Sequence, residues 1–271
     1  MDEKELKEQT LKDNLARIKH RVVVMSGKGG VGKSFIAVNL AYALAMQGKK
    51  VGLLDADVHG PSLAKMTGTE GMEIPVTASG MPGPIKVLSN LSVLSVASLL
   101  GDPDAALIWR GPLKMALIKQ FFTDFDWEEL DYLIVDCPPG TGDEPLSVFQ
   151  TLEHTDGTVI VTTPQDVALL DVSRSITFAE KMNVQVLGIV ENMKHFVCPH
   201  CGDSTDVFPG DKIGELLVER ELDLLAELDL DPNIVKSADE GKPYVYFYNK
   251  LPNADKLAKM AARVAELVET K

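Results

Sequence analysis

The sequence predicts an α/β protein, with a mostly parallel twisted sheet that helices cover on both faces. Short apolar runs rich in β-branched residues alternate with longer segments whose apolar residues recur at helical spacing. The 271 residues are 45% hydrophobic, which is ample for a sizeable core. The predicted strands are Arg21–Met25, Lys50–Leu54, Leu91–Val96, Tyr132–Val135, Thr158–Thr162 and Gln185–Val190. The predicted helices are Ser34–Gln47, Leu113–Phe122, Val167–Met182, Lys212–Arg220 and Asn253–Thr270.

The N-terminal segment differs in character from the rest of the chain. Asp2–Lys19 is charged and carries only a weak apolar stripe, which predicts a mobile helix. We therefore expect residues 1–20 to form a charged extension and residues 21–271 to form one domain. Gly68–Pro84 is rich in Gly, Pro, Thr and Ser and is predicted to be a long surface excursion.

The first predicted strand leads into a glycine-rich loop and then a helix. The loop fits the pattern G-x-x-x-x-G-K-[ST], whose backbone N–H groups surround nucleotide phosphates. In the helix, Ile36, Leu40 and Leu44 lie on one face. A strand, a glycine loop and a helix in this order direct a helix N-terminus at an anion. The predicted nucleotide-binding residues are Gly27, Lys28, Gly29, Gly30, Val31, Gly32, Lys33 and Ser34.

Carboxylates end two of the predicted strands, where parallel sheets bind ligands. Asp136 follows an apolar run, the arrangement in which a carboxylate holds Mg²⁺, while Ser34 supplies a hydroxyl ligand. Asp57 is predicted to position water or organise the metal, and Asp55 to support the metal shell or hold the loop in place. Helix capping or turn formation is the alternative for these carboxylates.

The composition limits the classes of partner. The net charge of −13 argues against bulk electrostatic binding to nucleic acid or to an anionic membrane. No apolar run approaches the ~20 residues of a membrane span. The first 20 residues lack a signal-peptide core, so we expect a cytoplasmic protein.

Cys198 and Cys201 form a C-P-x-C-G turn in which two thiolates can face one ion. Two thiolates are half of a tetrahedral site, and Cys137 is expected to be a buried core residue. A second copy of the chain would complete a four-thiolate site for an iron–sulfur cluster or zinc. The alternatives are a redox pair, a hairpin without metal, and a one-chain zinc site that uses His195 or His200.

The second lysine of the loop, Lys28, resembles that of the deviant phosphate loops of the MinD, ParA and nitrogenase-iron-protein class. The resemblance implies that Lys28 acts across an ATP-dependent homodimer, together with Lys33 and Asp57 as catalytic residues. In that class an asparagine at the position of Asn192 contacts the adenine, and an amide can both donate to and accept from that base. A solvated loop lysine and a turn asparagine are the alternatives.

Several ordered motifs resemble more closely the Mrp/ApbC family of iron–sulfur cluster carrier ATPases. They are Gly27–Ser34, Leu54–Ser62, Asp136–Asp143, Glu191–Met193, Cys198–Gly202 and Asp239–Pro243. The resemblance implies a cytosolic homodimer that hydrolyses ATP with Mg²⁺, holds a 4Fe–4S cluster between two cysteine pairs, and exchanges it with a cluster-assembly scaffold and apo-proteins.

Two departures accompany this resemblance. The N-terminal extension has no cysteines, so no second cluster is expected there. Glu227–Pro232 replaces the proline-bearing turn that frames the adenine in relatives. The competing functions are a spatial switch protein, a reductase like the nitrogenase iron protein, and a zinc-bridged scaffold that binds ATP. A basic amphipathic final helix would favour the switch protein, but Asn253–Thr270 mixes both charges.

Overall fold

The computed structural model describes residues 3–58, 60, 62–99, 111–198, 200–208 and 212–270. His59, Pro61 and Pro199, which the sequence motifs include, lie outside these residues. Within them, eight strands form one sheet in the order β10-β7-β6-β1-β5-β2-β4-β3, and a two-stranded hairpin stands apart. The strands are β1 Ile18–Met25, β2 Val51–Asp55, β3 Ile85–Leu88, β4 Leu91–Ser95, β5 Leu130–Asp136, β6 Gly157–Thr162, β7 Val186–Glu191, β8 His195–Val197, β9 Ser204–Asp206 and β10 Leu224–Glu227.

The large sheet is parallel except at one edge, where β3 pairs antiparallel with β4. The predicted fold class is therefore confirmed. The helices are α1 Glu3–Ala16, α2 Lys33–Met46, α3 Leu63–Thr67, α4 Gly111–Thr123, α5 Asp143–Leu152, α6 Asp166–Lys181, α7 Lys212–Arg220, α8 Pro232–Asp239, α9 Tyr244–Phe247 and α10 Pro252–Glu269. A single turn of 3-10 helix follows β4 at Val96–Leu99.

Side chains of the central strand pack alternately into two cores, one on each face of the sheet. Val22 and Val24 pack with residues of α2 and α10, whereas Val23 and Met25 pack with residues of α4, α5 and α6. This two-sided burial explains why the strands are continuous apolar runs instead of alternating ones. It also leaves the carboxyl ends of the strands as the place where polar side chains collect.

The N-terminal helix is packed against the body of the protein, which differs from the mobile helix that we expected. Leu11 and Leu15 are buried in the core that includes α4. Asn14 Nδ2 donates to Phe122 O at 2.6 Å, and Arg17 Nη1 lies 2.8 Å from Asp126 Oδ1. Two buried leucines were enough to dock a helix whose other residues are mostly charged.

The Gly68–Pro84 excursion runs from the end of α3 to β3 without a helix or a strand of its own. An isolated bridge between Val76 and Pro82 closes a small turn within it. Among the described residues, no helix is long and apolar enough to cross a lipid bilayer.

Candidate nucleotide site and cysteine hairpin

The glycine loop joins the carboxyl end of β1 to the first turn of α2, as the sequence predicts. Gly32 has a φ of +93°, and a Cβ there would lie 2.2 Å from Asn192 Nδ2, so only glycine fits. Ile36 N donates to Gly32 O at 3.0 Å, which begins the helix within the loop. The N–H groups of the first turn of α2 therefore have no helical acceptors before them and suit a bound anion.

Lys33 is buried at the centre of this site and contacts a carboxylate. Its Nζ lies 2.5 Å from Asp136 Oδ1, 3.4 Å from Ser34 Oγ and 4.0 Å from Asp57 Oδ2. Burial by itself would lower the pKa of Lys33, but the charge and hydrogen bond of Asp136 outweigh it and raise the pKa. Lys33 is therefore a cation held where nucleotide phosphates are expected.

Asp136 ends β5 and is completely buried. Burial raises the pKa of Asp136, an effect that Lys33 and the Ser34 hydroxyl oppose. Among the described residues, Asp136 Oδ2 has no hydrogen-bond partner. An unpartnered carboxylate oxygen next to a hydroxyl suits a hard cation such as Mg²⁺ or its bound water.

Asp55 lies beside Asp136, because the two residues are paired in register across β2 and β5. Asp55 Oδ2 accepts a hydrogen bond from Ser95 Oγ at 2.9 Å, and its Oδ1 accepts one from Asp57 N at 3.1 Å. Burial and the neighbouring Asp136 raise the pKa of Asp55 to about 8. A second cation would relieve this repulsion, so the donor set of Ser34, Asp55 and Asp136 fits Mg²⁺.

Lys28 lies at the edge of the loop and contacts its own chain. Its Nζ donates to Gln165 Oε1 at 2.6 Å, while the Lys28 carbonyl accepts from Ser26 Oγ at 2.9 Å. Gly27 contacts α6 so closely that a Cβ would lie 2.5 Å from Asp171 Cβ. The half-buried Lys28 is thus presented on the side of the loop where β6 leads into α6.

Asn192 is buried beneath the glycine loop, in the turn that follows β7. Its Nδ2 donates to Val31 O at 2.9 Å, and its Oδ1 accepts from Met193 N at 3.0 Å. The amide thus supports the loop in this structure, and the adenine contact stays a prediction. The sequence motif placed Asn192 near the nucleotide but gave no sign of the contact with Val31.

Two further polar groups of this region were not predicted from the sequence motifs. Ser95 holds Asp55, and Gln165 holds Lys28. Ser95 lies within the predicted strand Leu91–Val96, so its place at a carboxyl strand end was a usable signal. Gln165 follows β6 by three residues and was recognisable only as part of another strand-end loop.

The cysteine pair caps the small hairpin formed by β8 and β9. Cys198 N donates to Asp203 O, and Gly202 N donates to Cys198 O, both at 2.9 Å. Backbone N–H groups of Cys201 and His200, with the Cys201 thiol, lower the pKa of the Cys198 thiol. Hydrogen bonds that stabilise a thiolate also suit a metal-ligating cysteine.

Cys201 is exposed, and its Sγ lies 3.3 Å from Asp203 Oδ2. Cys137 is buried, and burial raises the pKa of its thiol, which confirms the expected core role. Within the described ranges, no three His, Cys, Asp or Glu side chains are grouped so that they could hold a metal ion. The hairpin thus carries two thiols, of which Cys201 is exposed and Cys198 is half-buried.

A family model described as ParA, NUBPL iron-transfer P-loop NTPase, matches residues 17–265. The chain belongs to this family. It is 42% identical over 261 residues to a protein of Methanocaldococcus jannaschii named iron-sulfur cluster carrier protein, covering 96% of this chain and 89% of the relative. It is 45% identical over 267 residues to a Caenorhabditis elegans protein named cytosolic Fe-S cluster assembly factor NUBP1 homolog, covering 96% and 84%.

Solved structures agree with this family. A nucleotide-binding protein from Archaeoglobus fulgidus in complex with ADP is 40% identical, with a TM-score of 0.77 over 87% of this chain and 92% of that chain. The cell division ATPase MinD of Pyrococcus furiosus is 23% identical, with a TM-score of 0.68 over 92% and 99%. The second likeness concerns the fold alone. The family and the geometry of the loop both identify the chain as a P-loop NTPase.

Proposed function

We propose that this protein is an iron–sulfur cluster carrier that binds and slowly hydrolyses ATP. The cysteine hairpin carries the proposal, because it presents two adjacent thiols at the surface of a P-loop NTPase fold. The names of the relatives from Methanocaldococcus jannaschii and Caenorhabditis elegans support it. The carried cluster is cargo, and four thiolates are a ligand set that a 4Fe–4S cluster takes, one thiolate on each iron.

In this proposal each residue of the nucleotide site has a distinct role. Lys33 and the loop N–H groups bind the phosphates, and Ser34 and Asp136 hold Mg²⁺ with support from Asp55. Asp57, 4.0 Å from Lys33, orients the attacking water. Asn192 contacts the adenine. The unpartnered oxygen of Asp136 supports the magnesium assignment.

We infer that two chains assemble around the cluster and around the nucleotides. The half-site at Cys198 and Cys201 needs two further thiolates, and a two-fold axis through the hairpin would supply them. Lys28 would then leave Gln165 and reach the nucleotide of the partner, adding positive charge near the γ-phosphate. Residues 21–271 form the ATPase domain in this arrangement.

The proposed partners are a cluster-assembly scaffold and apo iron–sulfur proteins in the cytoplasm. The net charge of −13 disfavours nucleic acid and anionic membrane as partners. The name of the Caenorhabditis elegans relative supports a cytosolic location.

Anaerobic reconstitution of the cysteine variants tests the carrier function. Cys198→Ser and Cys201→Ser should each lose iron and sulfide and still bind ATP, because the hairpin is separate from the glycine loop. Cys137→Ser is the matched control and should keep the iron and sulfide of the wild-type protein. Stoichiometric zinc in the wild-type protein, with no iron that can pass to an apo-ferredoxin, would refute the carrier function.

A further inference from the structure

The cysteine hairpin (residues 195–206) continues the chain from Lys194 to Val207 and, among the described residues, is bonded to one neighbouring segment of the body. Leu230 N donates to His195 O at 2.7 Å, and His195 Nδ1 lies 3.1 Å from Asp229 Oδ1. Phe196 and Leu230 form an isolated β-bridge. In the part of the chain that the structure describes, the hydrogen bonds and ion pairs that leave the hairpin all run to residues 227–230. Besides the covalent connections at Lys194 and Val207, this segment therefore sets the position of the hairpin that carries the cysteines.

The attachment segment continues directly into helix α8. Asp231 caps this helix, since its Oδ1 accepts from Asn233 N at 2.8 Å. Asp231 Oδ2 accepts from Tyr244 Oη at 2.5 Å, which fixes the cap to a buried residue of α9. Two hydrogen bonds join Asn253 to the backbone of Asp229. We call residues 228–241 the connecting segment, and these hydrogen bonds hold it against α9 and α10.

The far end of the connecting segment contacts the end of helix α3 through backbone atoms. Gly241 has a φ of +64°, and a Cβ there would lie 2.6 Å from Gly68 Cα and 3.0 Å from Lys65 O. Gly68 also has a positive φ, of +69°, and a Cβ there would lie 3.1 Å from Gly241 O. No flexible side chain separates the two backbones, so a shift of one must move the other.

The opposite end of α3 begins at the candidate magnesium site. Leu63 N, in the first residue of α3, lies 3.4 Å from Asp55 Oδ2. The same carboxylate accepts from Ser95 and from the N–H of Asp57. A cation or nucleotide that recruits Asp55 or Asp57 changes the hydrogen bonds that hold the start of α3.

We propose that α3 and the connecting segment couple the nucleotide state to the position of Cys198 and Cys201. Gly241 and Asp229 are then positioning residues of the carrier reaction. The proposal rests on the function proposed above and adds its regulation. The contiguous path runs from the Asp55 carboxylate through α3, the Gly68–Gly241 contact and α8 to the hairpin, and every step is a direct contact in one chain.

Thiol labelling of the apo-protein measures this coupling without a cluster. The rate at which N-ethylmaleimide modifies Cys198 and Cys201 is followed by peptide mass spectrometry, with and without saturating Mg²⁺ and a non-hydrolysable ATP analogue. Buried Cys137 reports unfolding in the same samples. Size-exclusion chromatography at the labelling concentration measures the oligomeric state of each sample. Labelling rates are compared only between samples with the same oligomeric state.

Two variants interrupt the path at different points, each with a matched control. Gly241→Ala pushes a Cβ into α3, whereas Gly71→Ala imposes the same left-handed strain at a φ of +70° with nothing within 4 Å. Asp229→Ala removes the His195 contact, whereas Lys256→Ala removes only the other partner of Asp229. Asp229→Ala keeps the test possible if Gly241→Ala does not fold.

In the wild-type protein and both controls, nucleotide should change the labelling rate by about fivefold or more, the lower end of typical coupling between sites. In Gly241→Ala and Asp229→Ala the rates with and without nucleotide should converge. A wild-type rate that ignores nucleotide, or variants that respond like the wild type, would overturn the coupling. If the protein takes up no iron but labelling still responds through this path, the carrier function fails and the coupling stands.

Discussion

At the residue scale, the site is built from buried charged groups. Lys33 Nζ lies 2.5 Å from Asp136 Oδ1 and balances its charge. The neighbouring Asp55 has a pKa of about 8, so its carboxyl is mostly uncharged at neutral pH. Burying an unpaired charge costs several kcal/mol, so the pairing of Lys33 with Asp136 lowers the cost of burying both. In the proposed function, phosphates would attract Lys33, and Asp136 would then be available to Mg²⁺.

Replacing Lys33 tests this exchange of partners. Lys33→Ala should lower ATP hydrolysis by about 100-fold or more, a loss typical of removing one electrostatic group from a transition state. Lys86→Ala is the control, because Lys86 is an exposed lysine that pairs with Glu128 at the surface. Steady-state phosphate release measures both variants, and normal turnover in Lys33→Ala would contradict the assigned phosphate loop.

The contribution of Asp126 to the stability of the protein is expected to depend on pH. Burial raises the pKa of Asp126, but hydrogen bonds from Ser79, Glu128 N and Arg17 outweigh it and lower the pKa below 3.8. The ionised carboxylate therefore stabilises the protein at a pH above the pKa that Asp126 has in the unfolded chain. This contribution is lost as the pH falls through the lower pKa of Asp126 in the folded protein. Asp126→Ala should cost about 1–3 kcal/mol at neutral pH, as for other buried groups left without a partner.

Denaturant unfolding at neutral pH and at about pH 3 measures this effect, which follows the linkage of proton binding to folding. The destabilisation by Asp126→Ala should shrink at the lower pH. Glu129→Gln, at an exposed position of the same turn, should change stability little at either pH. A loss in Asp126→Ala that is independent of pH would contradict the charge-based account.

At the element scale, strands were easier to predict than the short elements between them. The six predicted strands correspond to β1, β2, β4, β5, β6 and β7, because most residues of each are apolar and buried. The short edge strands β3 and β10 were not predicted, since neither is a continuous run of buried β-branched residues. The connecting helix α8 owes its position to contacts with distant residues, which local sequence does not reveal.

The docking of α1 is testable by a pair of leucine substitutions. Leu15→Ala should destabilise the protein by about 2–5 kcal/mol, because Leu15 is only 2% exposed in the core. Leu6→Ala should cost little, because Leu6 is 53% exposed on the same helix. Denaturant unfolding of the two variants measures the difference. Equal stabilities would mean that α1 does not pack as the structure describes.

At the scale of the whole molecule, the sequence motifs predicted which residues form the candidate site. They did not predict all the contacts of those residues. Lys33, Ser34, Asp55, Asp57 and Asp136 do lie together, because motifs at the carboxyl ends of neighbouring parallel strands converge. The contacts of Lys28 with Gln165 and of Asn192 with Val31 depend on loop conformation, which motif spacing does not specify.

The proposed action of Lys28 in trans requires two assembled chains. Lys28→Ala should keep most nucleotide affinity and lose hydrolysis, because the loop N–H groups and Lys33 remain. Mixing Lys28→Ala with Asp57→Asn should restore part of the hydrolysis, since in the mixed dimer one nucleotide site has both groups. Full activity in a stable monomer, or no recovery in verified heterodimers, would contradict action in trans.

Native mass spectrometry of anaerobically reconstituted protein can detect a cluster shared between two chains. We expect a species with the mass of two chains and one 4Fe–4S cluster, which Cys198→Ser and Cys201→Ser do not form and Cys137→Ser does. A cluster on a single chain would contradict the shared site. One zinc ion per chain, without sulfide and without iron that an apo-protein can accept, would contradict the carrier function itself.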